Sequence, residues 1–483
     1  MAAGLLALLG DILYPLPVGW VLLSAVVLAV IVRLSTDPLR HVPGPLIARL
    51  TPLWLWYISY NGIECRTIAA LHEKYGPVVR IAPNEVDISD GAAVNPIYVK
   101  SGGFLKSDMY QHYDFEGFPT IFSTRDPAQR VSRAKAVAPM FATREIMRGR
   151  PVVQEVIDGM VAELERRKAE AAGKPLDVLN LFRALSIDIT TAYLFGESFN
   201  GLGRQRLSAT AFVDSLFSGA RFFYLPSWLY DRVYLLASMF NKEKVNIATS
   251  NDIVERFIVR AVTKSVAKKD TEAQTYQGRL LEAGISQEEV KSQLLDVVFA
   301  GTDPPAMALA MMCWFLRTFP AKYERARKEV LGNTDLDASC LPYLAGVVKE
   351  SLRLSMATPT RLPRKVPSGG FKACGVSIPA GTSVGIGAYS LHLNPDVFPN
   401  PHEFMPERWL DTTPEMLRDS FSFGSGLRQC IARNLATQWL FWIAETLIRS
   451  DVLQGARPAK DDVEVREWFN VKVIGGKIEL IWE

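Results

Sequence analysis

The chain lacks the residues that build disulfide frameworks and metal clusters. Its five cysteines, Cys65, Cys313, Cys340, Cys374 and Cys430, are odd in number and scattered, and no two have C-x-x-C spacing. A disulfide scaffold and structural zinc are thereby excluded, so any cysteine that matters acts alone. A surplus of one charge is also missing: 54 Lys and Arg stand against 51 Asp and Glu, a net +3. That is too small to imply a nucleic-acid partner. There is no internal repeat and no low-complexity linker. What remains, 48% hydrophobic and 22% charged over 483 residues, is the composition of an ordinary globular chain.

One long apolar run stands apart. Ile12 to Val32 contains no charge and is bracketed by Asp11 and Arg33. As a helix it can cross a hydrocarbon core of roughly 30 Å. No basic stretch precedes it and no small-x-small cleavage pattern follows, which favours an anchor over a signal peptide. The basic residues lie after it, so the positive-inside rule puts the body in the cytosol. Residues 1–35 are therefore expected to be a membrane anchor and 36–483 a single domain, with no later stretch apolar enough for a second span. Pro43 and Pro45 end the anchor and predict a stiff hinge.

Within the body, residues 78–90 alternate and end in turn residues, predicting a hairpin. Most of 125–355 has helical spacing, a β-rich patch runs from about 360 to 388, and helix returns after Cys430. The fold class is mainly α with small β-sheets.

The segment Phe423-Gly-Ser-Gly-Leu-Arg-Gln-Cys-Ile-Ala432 combines turn-permitting glycines, a cation at Arg428 and a cysteine just before a helix. Glycine allows close approach to a flat ligand, and a helix N-terminus favours a thiolate, a soft ligand for iron. The pattern F-x-x-G-x-R-x-C-x-A resembles the cysteine-ligand loop of the cytochrome P-450 superfamily, the haem-thiolate monooxygenases; Ala432 stands where that family usually has glycine. The resemblance extends over the chain beyond the anchor. Glu350 and Arg353, in Lys349-Glu-Ser-Leu-Arg353, match the family's E-x-x-R helix, and Pro406-Glu-Arg-Trp409 its P-E-R-F segment. Their expected Glu350–Arg353–Arg408 triad is structural.

The resemblance implies haem b ligated by Cys430, with Phe423 and Gly424 in the ligand loop. Arg428 and Arg364 match propionate-binding positions. A third donor is expected from Arg133, with Arg130 the alternative. Phe299-Ala-Gly-Thr-Asp-Pro-Pro305 resembles the oxygen-activation motif A-G-x-D-T-T: Ala300, Gly301 and Asp303 match, but Pro304 replaces the relay threonine and Pro305 follows. Asp303 and Thr302 become the expected proton-delivery residues. The prolines predict a kink whose freed carbonyls bind water. Ser286-Gln-Glu-Glu289 predicts the start of this helix as a capping box.

Two aromatic groups, from Phe104 to Phe122 and from Phe212 to Tyr234, suit a lipophilic small-molecule substrate. The resemblance further implies electrons from NADPH through a separate reductase, docking near the basic segment Arg317–Glu329, and residence in the endoplasmic reticulum membrane. The expected reaction inserts one oxygen atom from dioxygen in secondary metabolism. Because Pro304 cannot relay a proton, a haem-dependent isomerase or dehydratase is the alternative.

Overall fold

A computed structural model describes residues 18–204, 209–239, 244–267 and 274–482. The first residues of the apolar run, before Val18, lie outside it, as do the side chains of Phe217 and Tyr234. Helix α1, Val18–Ser35, has a mean hydropathy of 2.3 and no buried residue. Two later helices, Val178–Phe195 and Gln287–Thr318, are also long and apolar enough to cross a membrane. This corrects the expectation that none would be. Both are largely buried in the protein, which accounts for their composition without a bilayer.

The segment after α1 is docked, where a hinge was expected. Leu39 and Val42 are fully buried, and Asp37 forms a buried ion pair with Arg80. The amide of Arg80 donates to the Pro43 carbonyl at 2.7 Å. A Cβ on Gly44 would sit 2.4 Å from the Arg80 carbonyl oxygen, so only glycine lets the backbones approach this closely.

Five short strands make the main sheet: β1 (Val78–Ala82), β2 (Glu85–Ile88), β3 (Leu105–Lys106), β4 (Arg364–Lys365) and β5 (Ser383–Gly385), in the order β1-β2-β5-β4-β3. β1 and β2 form the expected hairpin, pairing Val78 with Ile88. β2 and β5 are parallel, and the remaining pairs antiparallel. The register of β3 on β4 sets Lys106 opposite Arg364.

The helical body is built around two central helices. It includes α2 (Pro127–Val137), α3 (Arg150–Ala171), α4 (Val178–Phe195), α5 (Gln287–Thr318), α6 (Pro342–Ser355) and α7 (Arg433–Arg449). α4 is apolar on nearly every face because it is covered on nearly every face. α5 begins as its sequence demands, the Ser286 hydroxyl accepting from the Glu289 amide at 3.2 Å. It then continues through Pro304 and Pro305 as one helix to Thr318. Residues Ala306 to Leu316 of α5 are all buried. They share one core with α4 and with Leu435, Trp439 and Trp442 of α7. Each large side chain in that core stabilises the fold by about 1.5–3 kcal/mol.

Candidate active site

A cavity of about 910 Å³ opens between α5, the approach to α7 and the segment 106–122. Its floor is the cysteine loop. Gly424 (φ 66°) and Gly426 (φ 72°) take the left-handed conformation that side chains disfavour. A Cβ on Gly426 would lie 1.8 Å from the Tyr98 carbonyl oxygen. The Gly424 amide donates to the Phe421 carbonyl at 3.0 Å and the Cys430 amide to the Phe423 carbonyl at 2.9 Å, folding the loop back on itself. Phe423, Gly424, Arg428 and Cys430 all line the cavity. Burial raises the Cys430 thiol above its ordinary value, opposed by the Ala432 amide and Arg433. Arg433 thus favours the thiolate at the start of α7.

Lys106, Arg130 and Arg428 line one side of the cavity, with Arg364 behind them. Arg364 is buried, donating to Tyr110 Oη at 3.1 Å and to the Pro363 carbonyl at 3.0 Å. Arg428 gives Nη2 to the Thr124 carbonyl, while its Nη1 is buried with no hydrogen-bond partner. Burial, then Arg130 and Arg364, push Arg428 down to about 10. Lys106, over the Tyr110 ring at 3.9 Å, is held well below its ordinary value by burial and by Arg364 and Arg428. Burial likewise lowers Arg130. Cations that destabilise one another around an orphaned guanidinium nitrogen form a seat for a dianion, and the two propionates of haem fit it.

Arg133 is not part of that seat. It makes a two-pronged ion pair with Glu289, at 2.7 and 2.8 Å. Arg130, three residues earlier on α2 and the alternative donor, lines the cavity where Arg133 does not. Lys106 was missed altogether. The sequence carries no signal for it beyond an alternating strand, and its neighbour Arg364 is 258 positions away.

The α5 wall presents Asp296, Ala300, Gly301, Pro304 and Pro305 to the cavity. The expected proton-delivery residues face elsewhere. Thr302 is buried and donates to the Val298 carbonyl. Asp303 accepts from Arg183 of α4 at 2.6 and 2.9 Å, both side chains being buried. Neither lines the cavity. One of the two freed carbonyls has a protein partner. Pro305 cannot donate to Gly301, and the Thr190 hydroxyl of α4 supplies that bond at 3.2 Å. Gly301 is therefore small for the sake of α4: a Cβ there would meet Thr190 Oγ1 at 2.4 Å. Asp296, unremarked in the sequence, lies on the same helical stripe as Ala300 and Pro304. Burial raises it to about 6, opposed by hydrogen bonds from Thr120 and the Phe122 amide and by Lys106.

Behind the floor, the expected triad is complete. Glu350 accepts from Arg353 at 2.8 and 2.9 Å and from Arg408 at 3.0 Å. Trp409 Nε1 and the Met405 amide add bonds at 2.8 and 3.0 Å. Burial pushes Glu350 up, but Arg353, the Met405 amide and Arg408 together hold it below the ordinary carboxylate range.

The roof is aromatic. Tyr113, Phe115, Phe122, Phe223, Tyr230 and Phe469 line it, and Tyr113 packs on Phe223 at 4.3 Å and on Phe469 at 4.9 Å. Phe104 belongs to a different cluster, Tyr224 bonds Glu64, and Trp228 is exposed.

A cysteine floor, a cationic rim and an aromatic roof agree with what comparison finds. The cytochrome P-450 family model matches residues 43–452. The chain is 37% identical to cytochrome P-450 monooxygenase mfmF of Annulohypoxylon moriforme, covering 95% of this chain and 99% of that one. It is 32% identical to cytochrome P-450 monooxygenase tazI of Aspergillus terreus, over 86% and 87% of the two chains. Cytochrome P-450 monooxygenase stcB of Emericella nidulans matches at 29%, over 87% and 83%. The isomerase or dehydratase alternative finds no support in them. The match spans most of the chain and includes the cysteine loop and the buried triad, and on that ground the protein belongs to the cytochrome P-450 family of oxidoreductase enzymes.

Proposed function

We propose that this chain is a membrane-anchored monooxygenase that inserts one oxygen atom from dioxygen into a lipophilic small molecule of secondary metabolism. The observation that carries the reading is Cys430 on the floor of a cation-rimmed, aromatic-roofed cavity. Haem b, held by Cys430 and by Arg130, Arg364, Arg428 and Lys106 through its propionates, would supply the oxygen chemistry. Phe423 and Gly424 line the cavity with Cys430. The aromatic roof excludes water and orients an apolar substrate.

Proton supply is this site's peculiarity. Pro304 has no hydroxyl, and delivery through Asp303 requires its carboxylate to leave Arg183. Asp296, raised to about 6, is the α5 carboxyl that faces the cavity and can hold a proton near neutral pH. The exposed α1 suits a single membrane span with the body in the cytosol, at the endoplasmic reticulum. The electron donor on this reading is the NADPH–cytochrome reductase. Its docking rests less on Arg317–Glu329 than composition suggests. Arg317, Lys322, Arg325 and Arg327 are engaged with the Ala456 and Phe404 carbonyls, Glu407 and Asp451.

The test is a membrane preparation given reductase, NADPH and labelled dioxygen. The reduced, carbon monoxide-bound protein should show the red-shifted Soret band of thiolate ligation, and one labelled oxygen atom should appear in product. Product formed without oxygen would overturn the reading.

A further inference from the structure

His392 ends the short helix Ala388–His392 and is fully buried. Its two ring nitrogens face different parts of the protein. Nε2 lies 2.9 Å from the Phe421 amide, which can only donate. Nε2 is therefore the acceptor, and Nδ1 carries the proton. Nδ1 in turn donates to the Arg353 carbonyl at 3.0 Å. Arg353 returns the contact, Nη1 donating to the His392 carbonyl at 2.7 Å. The imidazole thus joins the Glu350–Arg353 core to Phe421, the residue whose carbonyl holds the Gly424 amide at the start of the cysteine loop.

We infer that His392 is a positioning residue for the cysteine loop: its Nε2 fixes the Phe421 amide, and through it the place from which Cys430 is presented. Only the neutral ring can do this, since an imidazolium would turn a second N–H on the Phe421 amide. Burial and the neighbouring Arg353 keep it neutral, pushing His392 down to about 3. Among the described residues no other side chain bonds the Phe421 amide, so removing the ring leaves a buried donor unpaired. The ring of Phe421 is meanwhile held against Tyr98 at 5.3 Å. Tyr98 Oη donates to the Leu362 carbonyl and accepts from the Ile386 amide, each at 2.9 Å. The loop entrance is therefore gripped by its ring from one side and by its amide from the other.

This inference rests on Cys430 being the haem ligand, and the experiment separates the two. The full chain is made as wild type and as His392→Gln, His392→Asn and His392→Leu. Carbon monoxide difference spectra, haem reduction potential and melting curves are recorded for each. Glutamine can place an oxygen acceptor near the Nε2 position; asparagine can place a donor near Nδ1 but cannot reach the Phe421 amide. Well below each melting point, Gln should keep most of the red-shifted Soret band and a near wild-type potential. Asn and Leu should lose most of that band to the unshifted form. Equal behaviour of Gln and Asn, in either direction, would overturn the inference by showing that the ring acts through stability alone. If Leu does not fold, the Gln and Asn pair still decides. A wild-type protein without the shifted band would instead overturn the haem-thiolate reading itself.

Discussion

The floor and the α5 wall of the same cavity were assembled under different rules. On the floor, the buried triad has the partners that its motifs imply, and the loop glycines take the tight turns expected of them. Gly426 sits against the Tyr98 carbonyl, and Glu350 meets Arg353, Arg408 and Trp409. On the wall, the matching residues are present but differently employed. Asp303 is held by Arg183, Thr302 by its own helix, and Gly301 accommodates Thr190. Motif identity transfers where the role lies in backbone shape. It transfers too where a second motif supplies the partner, as Arg408 does for Glu350, and poorly where the partner, like Arg183 or Thr190, belongs to no motif.

The contrast can be broken at its strongest point first. Cys430→Ser should abolish the red-shifted Soret band and product formation completely, while the reduced protein still binds carbon monoxide if haem is retained. Glu350→Ala comes next, because it strands Arg353 and Arg408 in the interior. A loss of about 3–5 kcal/mol is expected, seen as little or no folded haem protein. On the wall, Arg183→Met should destabilise by about 3 kcal/mol by removing the buried cation that faces Asp303. Adding Asp303→Asn should recover part of that loss, and additive denaturation midpoints would show that the pair is not coupled. Asp303→Asn alone, measured for peroxide leakage, separates pairing from proton delivery: unchanged coupling of NADPH to product removes Asp303 from the chemistry.

Two smaller effects sharpen the comparison. Arg130→Ala should weaken haem retention severalfold, whereas Arg133→Ala should leave haem content unchanged and cost about 1 kcal/mol through the lost Glu289 pair. The reverse ranking would restore Arg133 to the rim. Thr190→Val should cost about 1 kcal/mol because the Gly301 carbonyl loses its donor. With Pro305→Ala in place, which restores the helical amide, the same substitution should cost much less.

Much of the fold was legible. The hairpin at 78–90, the capped start at Ser286, the helix after Cys430 and the Glu350 triad each follow from local pattern or a short motif. The prolines were read correctly for what they remove, but their consequence was not local. Of the two carbonyls they free, that of Gly301 is bonded by a hydroxyl 111 residues away in sequence. Arg133 and Arg130 have the same residue type on the same helix. Only the position of Glu289 tells which one turns toward the cavity. Lys106 and Asp296 had no motif at all. Their interest comes from burial beside other charges, which no linear pattern states.

The bond from Thr190 to Gly301 also bears on the order in which the chain is made. A helix with two adjacent prolines at its middle is a poor helix in isolation, so α5 completes itself against a surface that already offers the missing donor. Synthesis runs from the N-terminus, and α4 leaves the ribosome well before Pro305 does. The hydroxyl is thus waiting when the prolines emerge. A circular permutant that delivered α5 first would be expected to fold more slowly, although every contact in its finished state would be the same.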